Sequence, residues 1–162
     1  MYVKGVVDED FVNYKKPSMF ISCRSCSFKC DAESGEQVCQ NGALASAPEI
    51  KINASELIRR YLDNPITEAI VFGGLEPLDD IDSVMRFISL LRDKYHCDDD
   101  VVIYTGYTED EITTNRRNYY RSLRSYGNIV IKFGRFIPRQ EKHYDDVLGV
   151  YLASDNQYAK RI

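Results

Sequence analysis

Four short apolar, β-branched runs, spaced along the chain with helical patterns between them, decide what this sequence can fold into. They are "SMFIS" (18–22), "EAIVFGG" (68–74), "DVVIYTG" (100–106) and "NIVIKFG" (128–134). Each is bounded by Pro, Gly or polar residues and reads as a buried strand. After the first run, "NASELIRRYLD" opens with Asn53 and Glu56 at capping-box spacing and puts Leu57, Ile58, Tyr61 and Leu62 on one helical face. After the second, Asp79 or Asp80 is expected to cap a helix with Ile81, Val84, Met85, Ile88 and Leu91 toward the core. After the third, Thr108 and Glu111 give another helix start, and "YYRSLRSYG" predicts a helix ending at Gly127. "YVKGVV" (2–7) reads as an edge strand, "PRQEKHYDD" (138–146) as a polar connection and "GVYLAS" (149–154) as the last strand. Strands alternating with helices mean an α/β fold with a largely parallel sheet, in a single domain over residues 1–162. A closed eightfold (β/α) barrel usually takes about 250 residues, so any barrel here is partial or open. Ligand sites in such sheets lie beyond the carboxyl ends of the strands. The cysteine-rich stretch, "GGLEP" and "TGYTED" each follow a strand directly, which gathers all three at one edge.

Composition narrows the chemistry. Hydrophobic residues are 44% and charged residues 28%, the balance of a soluble globular protein. The formal net charge of −4 provides no general attraction for nucleic acid or anionic membrane. The start "MYVKGVVDEDF" lacks the pattern of a signal peptide, and no apolar run approaches the roughly 20 residues of a membrane span. A cytoplasmic protein is expected, in which thiols stay reduced and clustered cysteines read as metal ligands or catalysts rather than disulfides. Four of the five cysteines fall in residues 22–41, spaced Cys23-x2-Cys26-x3-Cys30 with Cys39 beyond. Structural zinc would use all four; an iron–sulfur cluster can use three and leave one iron open. Thiolate suits both, so ligand type alone leaves the choice open.

"MFISCRSCSFKC…CQN" resembles the radical SAM activating proteins of anaerobic ribonucleotide reductase, whose C-x3-C-x2-C motif closely follows the first strand. "IVFGGLEPLDD" is similar to that family's Gly-Gly-Glu-Pro segment, with Leu75 inserted before Glu76. "VVIYTGYTEDEI" resembles its strand and "TGY" turn, and "IVIKFGRFIPRQ" with "ASDNQ" resembles its C-terminal end. The resemblance implies a partial (β/α) barrel and a 4Fe–4S cluster on Cys26, Cys30 and Cys39, within a cluster loop over 22–41. "DAESGEQV" then lengthens the spacing to C-x3-C-x8-C, which costs little because closure entropy grows slowly with loop length. The compact triplet Cys23, Cys26 and Cys30 is the rival set. S-adenosylmethionine (SAM) would lie at a turn over residues 72–78, with Gly73 and Gly74 allowing close backbone approach and Glu76 accepting from the cofactor's amino group. Gly106 and Tyr107 would line the same pocket.

No general base or nucleophile is expected among the side chains, because the cofactors carry the radical chemistry. The implied activity is formation of a glycyl radical on the large subunit of anaerobic ribonucleotide reductase, with flavodoxin or ferredoxin as electron donor. The alternatives are a radical SAM enzyme acting on another protein or small molecule, a non-enzymatic protein with a four-cysteine zinc site, and a relative that no longer holds a cluster. Cys97, His96 and His143 read as ordinary residues, and Arg116, Arg117, Arg121 and Arg124 as a solvated helix face.

Overall fold

A computed structural model describes residues 1–162. Its strands are β1 (Tyr2–Asp10), β2 (Ser18–Cys23), β3 (Ile50–Lys51), β4 (Ala69–Gly73), β5 (Asp100–Tyr104), β6 (Ile129–Phe133), β7 (His143–Asp145), β8 (Val150–Leu152) and β9 (Tyr158–Arg161). Its helices are α1 (Lys29–Ser34), α2 (Gly42–Ala45), α3 (Ala54–Leu62), α4 (Ile81–Ser89), α5 (Glu109–Asn115) and α6 (Arg117–Tyr126). Seven strands form one sheet in the order β3-β1-β2-β4-β5-β6-β9. The four apolar runs are its centre, β2-β4-β5-β6, and pair in parallel. The flanking pairings, β1 on β2 and β9 on β6, are antiparallel. The sheet is open at β3 and β9, and no barrel closes.

The parallel strands appear in chain order across the sheet, so successive crossovers step the same way and leave their helices on one face. Met19 and Ile21, Ile70 and Phe72, Val101 and Ile103, and Ile129 and Ile131 face those helices. They share one core with Leu57 and Ile58 of α3, Val84, Phe87 and Ile88 of α4, and Leu123 of α6. Phe72 meets Phe87 edge to face, with ring centroids 5.2 Å apart. The intervening strand residues, Ala69, Val71, Val102 and Val130, form a second, smaller core with Tyr14, Leu148 and Leu152. That core lies under the β7–β8 hairpin and the segment before β2. Both faces of the central strands are therefore dry, which is why their sequences are continuously apolar.

Several expectations need correction. "PRQEKHYDD" is not wholly a connection: His143–Asp145 forms β7 and pairs with β8 in a separate two-stranded sheet. The run "GVYLAS" is thus not the end of the main sheet, which finishes with the polar strand β9. Asp80 stands at the start of α4 but accepts from the Ser83 hydroxyl instead of a helix N–H. Asn53 does cap α3, through Ser55 N–H, without a return bond from Glu56. Thr108 and Glu111 form the full reciprocal capping box. No helix is long and apolar enough to cross a membrane.

Asp100, 5% exposed at the start of β5, ties the chain ends to the sheet. It accepts from Tyr14 Oη at 3.0 Å and Arg161 at 2.6 Å, and pairs with Lys16 at 2.8 Å. Burial alone would raise its pKa, but these donors outweigh burial and hold the carboxyl well below the ordinary carboxylate range. A depressed folded-state pKa stabilises the fold above the unfolded value and loses that stabilisation as pH falls through the folded one. Asp100→Asn should cost about 2 kcal/mol at neutral pH, because it removes charge-assisted hydrogen bonds while the half-exposed Lys16 and Arg161 remain hydrated. It should also flatten the decline in stability below about pH 4, as measured by denaturant unfolding across pH. An unchanged acid limb would mean that other carboxylates set it.

Candidate metal centre

Strand alternation separates the cysteines. In β2, Met19, Ile21 and Cys23 point to the helix side, whereas Phe20 and Ser22 point to the other face. Cys23 is consequently 4% exposed within the main core, and burial pushes its thiol far up. Beyond the end of β2 the chain turns over the carboxyl ends of the strands. There Cys26, Cys30 and Cys39 line one cavity of about 550 Å³, together with Gly74, Glu76, Gly106 and Tyr107. Gly73 is not on the cavity wall. A Cβ there would meet the Phe20 ring at 3.0 Å, so its smallness serves packing in the sheet.

Polar contacts hold the cysteine loop, for α1 buries no residue and α2 none either. Asp31 is the knot. Its Oδ1 accepts from Val38 N–H at 2.8 Å and from Cys39 N–H at 2.7 Å. The Cys30 thiol donates to the same oxygen at 3.7 Å. One carboxylate thus folds the eight-residue excursion back and sets Cys39 beside Cys30. The Phe28 N–H donates to Cys26 Sγ at 3.3 Å, and Phe28 itself adopts a left-handed conformation with φ 50°. That backbone strain, of order 1 kcal/mol, sits at the site; Gly35, the loop's other left-handed residue, has no Cβ and carries none. Burial pushes the Cys26 thiol up to about 11 and the Cys30 thiol up to about 12, the latter aided by the neighbouring Cys39 and Asp31 charges.

The loop is also tied to the turns after β4 and β5. Glu76 N–H donates to Ser25 O at 2.9 Å and Ser27 N–H to Asp79 Oδ2 at 2.7 Å. Gly74 turns with φ 74°, and a Cβ on it would meet Leu44 Cδ2 at 2.8 Å and Ser22 Cβ at 3.3 Å. The Glu76 carboxylate is buried and buckles two turns together. It accepts from Leu78 N–H at 3.0 Å, Thr105 Oγ1 at 2.7 Å and Gly106 N–H at 2.7 Å. Burial raises its pKa against those three bonds. A carboxylate has about four acceptor positions, so one is left for a further donor. Tyr107 donates to Asp79 Oδ1 at 2.8 Å, and Lys29, Arg116 and Arg135 surround its ring at 4.3, 4.9 and 5.8 Å. Lys29 and Glu33 of α1 reach Glu111 and Arg135 at 3.4 and 3.2 Å, docking the short helix by charge alone.

A family model for the 4Fe–4S single cluster domain matches residues 17–157. The chain belongs to that family. Searches of curated proteins and of solved structures find no match. The matched span begins just before β2 and ends at Gln157, so the antiparallel strands β1 and β9 lie outside what defines a 4Fe–4S single cluster domain.

The donor set suits such a cluster. No three His, Cys, Asp or Glu side chains converge on a single-ion site, as tetrahedral zinc would need. Each iron of a cluster takes its own thiolate, so the ligands must surround a volume rather than a point. Cys26, Cys30 and Cys39 all line the cavity, and Cys23 is packed in the main core instead. Cys97 is buried in the main core beside Asp99, remote from the other cysteines.

The sequence reasoning missed Asp31 and read Asp79 only as a candidate helix cap; a carboxylate directly after a cysteine was the available signal for Asp31. Asp31→Ala should leave the far-ultraviolet circular dichroism unchanged, because α1 carries no core residue. It should lower iron affinity about tenfold or more, measured by iron retained against a chelator after anaerobic reconstitution. Undiminished iron retention would show that the loop closes without this carboxylate.

Proposed function

We propose that this 4Fe–4S protein is a SAM-dependent activase that makes a glycyl radical on anaerobic ribonucleotide reductase. The observation that carries this reading is the separation of the cysteines. Three line a cavity at the carboxyl ends of the parallel strands, beside the Gly74–Glu76 turn, while the fourth is in the core. Three thiolates leave one iron of the cluster without a protein ligand, the opening that SAM's amino and carboxylate groups fill in radical SAM proteins. An open (β/α) half-barrel is the corresponding reading of the fold, and the parallel β2-β4-β5-β6 order supports it. When bound, the cluster and SAM supply the electron and the reactive alkyl fragment that removes hydrogen from glycine.

The chain's own residues bind and orient. Cys26, Cys30 and Cys39 hold the cluster, and Asp31 fixes the third of them. Gly74 takes the left-handed turn that brings its backbone to the cavity wall, and its lack of a Cβ clears Leu44 and Ser22. The remaining acceptor position on Glu76 would take an N–H of SAM's amino group. Gly106 presents its N–H to that same carboxylate, and Tyr107 walls the mouth under its three cations. No residue serves as general base. The electron donor is a flavodoxin or ferredoxin, and the compartment is the cytoplasm. In this reading the chain builds one half of a closed site, and the glycine loop of a large partner completes it.

Cys26→Ala, Cys30→Ala and Cys39→Ala should each abolish stable assembly of about four irons per chain, whereas Cys23→Ala and Cys97→Ala should keep it. The loaded protein, reduced and given SAM, should release 5′-deoxyadenosine slowly by itself. With the anaerobic reductase it should produce a glycyl radical doublet by electron paramagnetic resonance, absent when the partner's glycine is alanine. Loss of iron in Cys23→Ala with retention in Cys39→Ala would instead identify the compact triplet. Rapid coupled turnover of a small molecule without a protein partner would replace the activase reading.

A further inference from the structure

Lys132 is the one charge in the apolar strand β6. Lysine is almost never fully buried unless it is paired. Here the residue is 7% exposed, and its Nζ has one protein acceptor, Gly134 O at 2.7 Å. That carbonyl is shared with Gln157 Nε2, which donates to it at 3.2 Å. An ammonium carries three donors, so two N–H groups lack a protein partner. No carboxylate lies within ion-pairing distance; Glu76, which lines the same cavity, attracts the ammonium without pairing with it. Lys132 pairs in register with Tyr104 on β5 and lies on the same sheet face as Val130. It therefore projects from the face that carries the cavity, and both Lys132 and Tyr104 line it. Burial pulls its pKa down to about 8, partly offset by Glu76, so the charge persists at neutral pH at a desolvation cost. A structural lysine in this position would close an ion pair or give way to an apolar residue.

We propose that Lys132 is an anion subsite of this cavity, taking the carboxylate or phosphate group of the small molecule bound against the cysteine wall. Of the three cations that line the cavity, Lys29 and Arg135 are already paired with Glu111 and Glu33, and Lys132 has no ion-pair partner. Together with the buried Glu76 carboxyl on the same cavity, Lys132 complements a ligand head carrying both an amino group and a carboxylate. Where the ligand is SAM, the inference rests on the function proposed above; where it is a phosphate, it stands apart from it.

The test is equilibrium dialysis without oxygen on the iron-loaded full chain, comparing wild type, Lys132→Met and Lys132→Arg. The probes are SAM, 5′-methylthioadenosine, which lacks the amino-acid head, and inorganic phosphate. Lys132→Met should weaken the anionic probe about tenfold to a hundredfold, the range of a hydrogen bond to a charged group. Lys132→Arg should recover most of that affinity, and methylthioadenosine should bind all three proteins alike. A selective loss of SAM identifies the carboxylate as the source, and a selective loss of phosphate identifies a phosphate-bearing ligand. Lys132-dependent phosphate binding in a protein that never binds SAM would uphold the subsite and remove the SAM reading. Equal binding of SAM and of phosphate by wild type and Lys132→Met would overturn the subsite. So would a loss of methylthioadenosine as large as that of SAM. Should Lys132→Met fail to fold, wild type labelled with carbon-13 at lysine Cε decides the matter. Its one lysine titrating near 8 should shift upward when the anion is added, and a midpoint unmoved by every probe overturns the proposal.

Discussion

Strand alternation in four adjacent parallel strands is the constraint on which the rest depends. Because successive side chains in a strand take opposite faces, β2 must send Cys23 into the helix-side core if it sends Ser22 toward the cavity. The same rule sends Ile129 and Ile131 to the helices and Val130 and Lys132 to the other face. A one-residue slip in β2 would exchange these roles and put Met19 and Ile21 on the wrong side. The main core thus indirectly selects which cysteines remain at the cavity.

What the strands do not fix, polar contacts do. The cysteine loop has no apolar anchor, since α1 and α2 contain no buried residue. It is held by Asp31 within the loop, by Ser25 and Ser27 against the turn after β4, and by Lys29 and Glu33 against charges from the turns after β5 and β6. Ion pairs at such exposure contribute little each, in the range of about 0–1 kcal/mol. A loop of this kind is stable as a network and remains soft enough to adjust around a metal cluster whose binding then contributes to its order. Glu76 is the rigid counterpart: buried, with three donors, it locks the turns after β4 and β5 into one wall.

The central strands and the starts of α3 and α5 were legible because burial on both faces leaves a continuous apolar run and because caps have short-range chemistry. Thr108 with Glu111 is the clearest case. The strand β9, "YAKR", was not legible, because an exposed edge strand buries only Ala159 and shows no apolar pattern. His143–Asp145 was hidden in the same way, being a polar segment whose pairing to the apolar β8 is a backbone contact. The grouping of the cysteine loop with "GGLEP" and "TGYTED" was readable from the rule that sites follow strand ends. Gly73 was misplaced by that rule because its neighbour Gly74 alone reaches the cavity, while Gly73 still belongs to β4 and clears Phe20. The role of Asp31 was hidden for a different reason: its place after Cys30 is visible, but its partners Val38 and Cys39 are backbone groups seven and eight residues away, which no spacing motif encodes.

The central claim is that Cys26, Cys30 and Cys39 hold a cluster with one iron open to SAM. Mössbauer spectroscopy of protein reconstituted with iron-57, recorded before and after SAM is added, addresses it most directly. The account predicts that one iron in four changes its isomer shift as nitrogen and oxygen ligands join it, while the other three keep thiolate-bound values. Four irons that all remain unchanged when SAM is added would contradict it.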